Sequence, residues 1–198
     1  TKAEREKKWG DKAESYEKKL KKAVEAVEGK VITYEGEPII AAFHAINSGE
    51  TQSAETVWGG EVAYLKGVPS PGDKLSPDCI KTVAITAKEF SDSVSQLKNC
   101  ELNGEAQNWI GEIKTNSSGY IKSVEIGGTA FTGLQARDAI GLRSAVFTVE
   151  YKNGSFYFTT NGYGHCVGLS QYGADYMARQ GSNWQEIIEH YYTGVTVE

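Results

Sequence analysis

No apolar run in this 198-residue chain reaches the roughly 18 residues that a membrane-spanning helix needs, and no secretory signal pattern opens it. Histidine is scarce. His44, His165 and His190 are scattered, no HExxH stands on a helical stretch, and the usual motif-borne metal hydrolases are thereby excluded. The three cysteines, Cys79, Cys100 and Cys166, show no CxxC spacing and allow at most one internal disulfide. Three reduced and partly buried thiols are the expected state, and Cys79 with Cys100 is the pairing expected if a disulfide forms. A surplus of positive charge is also lacking. The net charge is −5, and no basic groove threaded with aromatics appears, so nucleic acid is not an expected partner. GxGxxG fingerprints and Walker loops are absent as well.

What remains is enough for a core. The chain is 39% hydrophobic and carries 11 Tyr and 4 Trp. Its length suits one domain, residues 1–198, comprising an amphipathic helix over 1–28 and a mixed core over 29–198. Trp9, Ala13, Tyr16, Leu20, Val24 and Val27 recur at steps of three and four, which predicts a helix from Trp9 to Val27 ended at Gly29. The chain opens on a helical pattern without an initiator Met, so a fragment or a trimmed protein is expected.

Further along, VITY and IIAAFHAI predict a hairpin turned at Glu35 to Pro38. The stretch from Asn47 to Gly60 reads as a polar loop, and YLKGVPSPGD excludes regular structure. A strand over Lys81–Ile85 precedes a helix capped by Thr86 and Glu89 and running to Leu97. Two more hairpins pair Trp109–Lys114 with Tyr120–Ile126 and Ser144–Tyr151 with Phe156–Thr160, with LQARDAI as a short helix between them. Ser170–Arg179 reads as helix, and a box of Ser182 with Gln185 opens a last helix through Tyr191. Strand pairs mixed with separate helices make the fold class α+β, with β-hairpin-rich lobes and packed helices enclosing a groove.

The densest chemistry lies in GYGHCVGLSQYGA, residues 162–174. His165 and Cys166 alone supply too few ligands for zinc, which takes three or four from the protein. Cys166 is a conceivable nucleophile beside His165, and Ser170 another, but VGLSQYG lacks the GxSxG elbow, and Ser170 is placed to cap the helix that follows. A second polar loop begins at His44 and holds Ser48, Gly49, Thr51, Gln52 and Ser53. Glu50 and Glu55 are its only acids, and Glu55 would become a general acid if it were buried against Trp58.

Three stretches together resemble the stage II sporulation protein D family, which also includes amidase-enhancer proteins. They are GKVITYEGEPIIAAFHAINSGETQSAETVWGGEVAYLKGVPSP, GLQARDAIGLRSAVFTV and GHCVGLSQYGADYMARQG, and they follow one another in the family's order. Cys166 stands where the family signature has glycine, and Leu169 where it has methionine. The resemblance implies a lytic transglycosylase that cleaves peptidoglycan glycan strands during sporulation and engulfment. It also implies a groove lined by His44, Ser48, Trp58, His165, Ser170, Gln171 and Tyr172. The family's general acid is one glutamate in a Pro-Ala-Glu-like stretch, which is expected upstream of Thr1. A Cys/His segment that holds zinc in some members is also expected upstream, and the chemistry itself requires no cofactor. The implied location is extracytoplasmic, with a membrane anchor upstream. The implied partners are glycan strands, a cell-wall amidase and other engulfment proteins. The alternative within the family is a non-catalytic glycan-binding or amidase-activating protein.

Overall fold

A computed structural model describes all 198 residues, which divide into two units, Thr1–Ile39 with Thr196–Glu198, and Ile40–Val195. In the first unit α1 (Lys2–Trp9) and α2 (Ala13–Glu25) are separated by a 3-10 turn over Gly10–Lys12. The single helix predicted from Trp9 is therefore broken, because Gly10 adopts a φ of 51° that an α-helix does not contain. Arg5 donates from Nε and Nη2 to the two carboxylate oxygens of Glu17, at 2.9 and 2.6 Å, and ties α1 to α2. The predicted apolar stripe exists, yet Tyr16, Leu20, Val24 and Val27 all remain exposed. β1 (Ile32–Tyr34) turns through Glu35-Gly36, both at positive φ, into β2 (Glu37–Pro38). The turn is tighter than predicted, since Glu37 and Pro38 already pair with Tyr34 and Thr33. Thr196 and Val197 pair with the other edge of β1.

The second unit opens with β3 (Phe43–His44) and α3 (Ala54–Trp58), the latter inside the stretch predicted as loop. Ser53 caps α3 by accepting from the Thr56 amide, a signal hidden among the other hydroxyls around it. A 3-10 turn, Pro71–Leu75, occupies the Pro/Gly segment. β4 (Ile80–Thr86) leads into α4 (Ala87–Val94) through the predicted Thr86–Glu89 box, and α4 stops three residues before Leu97. β5 (Ile110–Thr115), β6 (Ile121–Ile126) and β7 (Thr129–Phe131) form an antiparallel meander, of which β7 was not foreseen. Next come α5 (Gly133–Ile140), β8 (Phe147–Lys152) and β9 (Ser155–Asn161), and β9 lies between β4 and β8 in a second sheet. β8 starts later than Ser144 because the preceding backbone is engaged elsewhere: Ser144 bridges Gly164 and the Ala145 carbonyl accepts from Ile121. The two-residue β10 (Leu169–Ser170) precedes α6 (Gln171–Arg179) and α7 (Trp184–Tyr191). The cap of α7 is Asn183 with Glu186, one residue beyond the predicted pair, since the Asn183 side-chain oxygen Oδ1 accepts from two helix amides.

The fold is α+β, as expected. Between the sheets, α4 and α5 lies a core of Phe90, Phe147, Phe156, Phe158, Ile121, Val124 and Ile126, all nearly inaccessible. Phe90 and Phe156 centre their rings 4.4 Å apart. Burial of this size, at about 1.5–3 kcal/mol per large side chain, anchors the loops that follow. The three cysteines are free thiols.

Candidate functional site

The two polar loops singled out from the sequence are stitched together. β3 runs parallel to β10, with Phe43 opposite Leu169 and His44 opposite Ser170. Isolated bridges join Ile46 to Tyr163 and Gln52 to Val167. The loops thus meet edge to edge, sharing backbone hydrogen bonds such as Gln52 N to Cys166 O at 2.7 Å. Gly168 makes this approach feasible. Its φ is 68°, and a Cβ there would lie 2.1 Å from the Ala42 carbonyl oxygen.

Beneath the joint sits Asp73, with no accessible surface. One carboxylate oxygen accepts from the Asn47 amide at 3.0 Å and from Ser170 Oγ at 2.5 Å. The other accepts from Asn47 Nδ2 at 3.0 Å and from Ser70 Oγ at 2.5 Å. With its proton given to Asp73, Ser70 accepts from the buried Tyr191 hydroxyl at 2.6 Å. Burial pushes the Asp73 carboxyl above its ordinary value, and the four donors work against that shift. Sequence reading missed Asp73, Asn47, Ser70 and Tyr191. The visible signal was Pro71 just after Ser70, at the first position of a helical turn.

The residues predicted to bind glycan divide by environment. Ser170 is fully buried, donating to Asp73 and accepting from the Gly173 amide, so it caps α6 and offers nothing to a ligand. Tyr172 is half-buried and donates to the Leu75 carbonyl, and Gln171 beside it is exposed. Ser48 donates to the Ser118 carbonyl at 3.4 Å. Gln52, also buried, donates to Ser118 Oγ and accepts from Asn116 Nδ2, which locks the loop onto the β5–β6 turn. His44, His165 and Trp58 form a row, with ring centroids 5.7 Å apart for the two histidines and 5.5 Å for His165 and Trp58. Trp58 is 46% exposed, His165 is half-buried and His44 is buried. Exposure therefore rises from interior to solvent across the three rings.

His44 donates from Nδ1 to the Val167 carbonyl at 3.1 Å, which fixes its tautomer. Its Nε2 is then a buried acceptor without a partner. Burial lowers its pKa from 6.5 to about 4, against the Val167 bond and with help from neighbouring His165. Burial lowers His165 as well. The consequence for stability has a definite sign. Between pH 6.5 and 4 the unfolded chain takes up a proton that buried His44 refuses, so stability is full above 6.5 and falls towards 4. The loss is about 3 kcal/mol at 1.4 kcal/mol per unit. Urea unfolding followed from pH 7 to 4.5 should show the midpoint dropping, and His44→Gln should flatten the slope. A midpoint independent of pH in this window would contradict the burial argument.

Cys166 is buried, and its thiol is pushed up to about 11 by that burial, which leaves no thiolate for nucleophilic chemistry. No cluster of three His, Cys, Asp or Glu side chains is arranged to hold a metal ion, so His165 and Cys166 gain no further ligands. Glu50 and Glu55 are exposed, and Glu55 is not buried against the Trp58 indole.

No family model matches the chain. Individual relatives do. The stage II sporulation protein D of Bacillus amyloliquefaciens is 38% identical over 198 residues, covering 100% of this chain and 56% of the relative. That of Bacillus subtilis (strain 168) is 38% identical over 201 residues with the same coverage. This chain belongs to the stage II sporulation protein D family. It spans about half the length of these curated relatives, 56% in both. The amidase enhancer of Bacillus subtilis (strain 168) is 26% identical over 233 residues, covering 92% of this chain and 33% of that protein. In the stage II sporulation protein D signature a glycine stands at the position of Cys166, and Cys166 has a φ of 66°. The thiol occupies a left-handed backbone position that glycine fills without strain.

Proposed function

We propose that residues 1–198 carry the glycan-facing part of a sporulation protein that cleaves peptidoglycan strands as a lytic transglycosylase. The observation that carries this reading is the joint between the His44 loop and the signature at 162–174, which presents Trp58, His165 and Gln171 from one rigid base. Aromatic rings with polar edges suit sugar rings, which offer apolar faces and hydroxyl rims.

The chemistry needs one carboxylic acid. It protonates the glycosidic oxygen while the bond to N-acetylmuramic acid breaks through an oxocarbenium-like state. The carboxylate then removes the proton of the sugar's C6 hydroxyl, whose oxygen closes a 1,6-anhydro ring. No water enters and no second carboxylate is needed, in contrast with ordinary glycosidases. Within 1–198 the acids near the joint are unsuited to this: Glu50 and Glu55 are solvated, and Asp73 is buried and filled with donors. The reading therefore takes the general acid from outside residues 1–198. It also places the protein outside the cytoplasmic membrane, held by an anchor beyond this stretch. No helix within 1–198 is long and apolar enough to cross a membrane.

The complete gene product, incubated with glycan strands stripped of stem peptides, should yield ends one water lighter than hydrolytic ends by mass spectrometry. Residues 1–198 alone should bind the strands but turn over roughly 100- to 10,000-fold more slowly, the usual cost of losing general acid help. Hydrolytic ends only, or no cleavage by the complete protein, would refute the reaction. Similarity to the amidase enhancer favours a second reading, in which the protein activates a cell-wall amidase. Faster release of stem peptides by such an amidase, with no anhydro ends, would select it.

A further inference from the structure

The chain contains four arginines, and three of them meet a carboxylate. Arg5 lies 2.6 Å from Glu17, Arg137 3.0 Å from Asp138 and Arg179 2.7 Å from Asp175. Arg143 meets none. Its Nε is buried without a hydrogen-bond partner, although a half-buried cation in a protein of net charge −5 has many acids available to it. The buried Nε is beyond a ligand's reach, but the terminal nitrogens make no hydrogen bond or ion pair within the chain and are not buried, so they can take an acceptor from outside it.

The surroundings hold this cation in one place. The guanidinium carbon lies 4.4 Å from the centre of the Tyr163 ring, which backs one face of the planar group. Tyr163 is itself 48% exposed, so the stack is at the surface. The Arg143 carbonyl accepts from the Gly164 amide at 2.9 Å and from Arg137 Nε at 3.3 Å, which fixes its backbone. Ser144 and Gly164 are bridged, and His165 follows directly. A flat guanidinium, stacked on one face with its terminal edge unused, is the geometry that takes a carboxylate through two parallel hydrogen bonds.

Resting on the glycan reading above, we propose that Arg143, backed by Tyr163, binds the lactyl carboxylate of N-acetylmuramic acid. On a strand still carrying its stem peptide that carboxylate is an uncharged amide, and the paired ionic contact is lost. Arg143 is then a specificity-determining residue that reads the muramic acid rather than the N-acetylglucosamine of the repeating disaccharide.

The test uses glycan strands freed of peptide and the same strands with their lactyl carboxylates converted to methyl amides. Residues 1–198 should bind the native strands at least about tenfold more tightly, the scale of a charge-assisted pair. Arg143→Gln should bind both alike, and Arg143→Lys should keep part of the preference, having charge without the fork. Tyr163→Leu changes an exposed ring and should weaken the preference severalfold, which decides the matter if Arg143→Gln does not fold. Equal wild-type affinity for the two strands would overturn the carboxylate site and leave the glycan reading standing. So would an undiminished preference in Tyr163→Leu or in folded Arg143→Gln. Failure of the wild-type protein to bind either strand would overturn both.

Discussion

Asp73→Ala should destabilise the second unit by about 4 kcal/mol, a large part of the roughly 5–15 kcal/mol that holds a domain folded. The substitution removes the acceptor for four donors, the Asn47 amide and Nδ2 and the Ser70 and Ser170 hydroxyls, in a place without accessible surface. Each donor left buried and unpaired costs about 1–3 kcal/mol, and hydroxyl rotation recovers some of that. Tyr191 is drawn in as well, because Ser70 would be free to reverse its bond to the Tyr191 hydroxyl. Asp73→Asn should cost less than alanine but well above zero, since an amide accepts through one oxygen only. Urea unfolding of the three proteins measures this directly. A loss below about 1 kcal/mol for Asp73→Ala would show that water replaces the carboxylate freely.

Gly168→Ala should cost about 2–4 kcal/mol, through two effects that rotation of a side chain cannot relieve. A methyl group would meet the Ala42 carbonyl oxygen, a backbone atom, and would do so at a φ of 68°. The nearest remedy is to part β3 from β10, which also moves His44 and His165. Exchange of the Leu169 amide, bonded to the Ala42 carbonyl at 3.0 Å, should therefore accelerate with the loss of stability. An unchanged exchange rate and midpoint would mean that the strands have slack that the geometry does not reveal.

How much of this was legible in the sequence depends on the range of the interaction. The boxes at Thr86–Glu89 and the helix after Ser170 are local, written within four residues, and both appear as expected. The hairpins of β5 with β6 and β8 with β9 are nearly local and were likewise readable. The parallel contact of β3 with β10 joins residues more than a hundred positions apart and is only two residues long, too short for any periodic signal. Asp73 belongs to the same class. Its partners come from positions 47, 70 and 170, and the Pro/Gly context around it marks a turn without revealing what the turn encloses. Burial of the candidate site residues was not readable from their local sequence: Ser170 points inward to Asp73, while Trp58 and Gln171 are exposed.

The central claim is that the joined loops present a glycan-binding face through Trp58 and His165. The chain has four tryptophans, Trp9, Trp58, Trp109 and Trp184, each with a separate indole N–H signal. Nitrogen-15 correlation spectra recorded while peptide-free glycan fragments are added should move the Trp58 indole and the His165 and Gln171 amides. The indoles of Trp9, Trp109 and Trp184 should stay in place. Saturable shifts at Trp9 or Trp184 with Trp58 unmoved would put the glycan elsewhere and contradict the account.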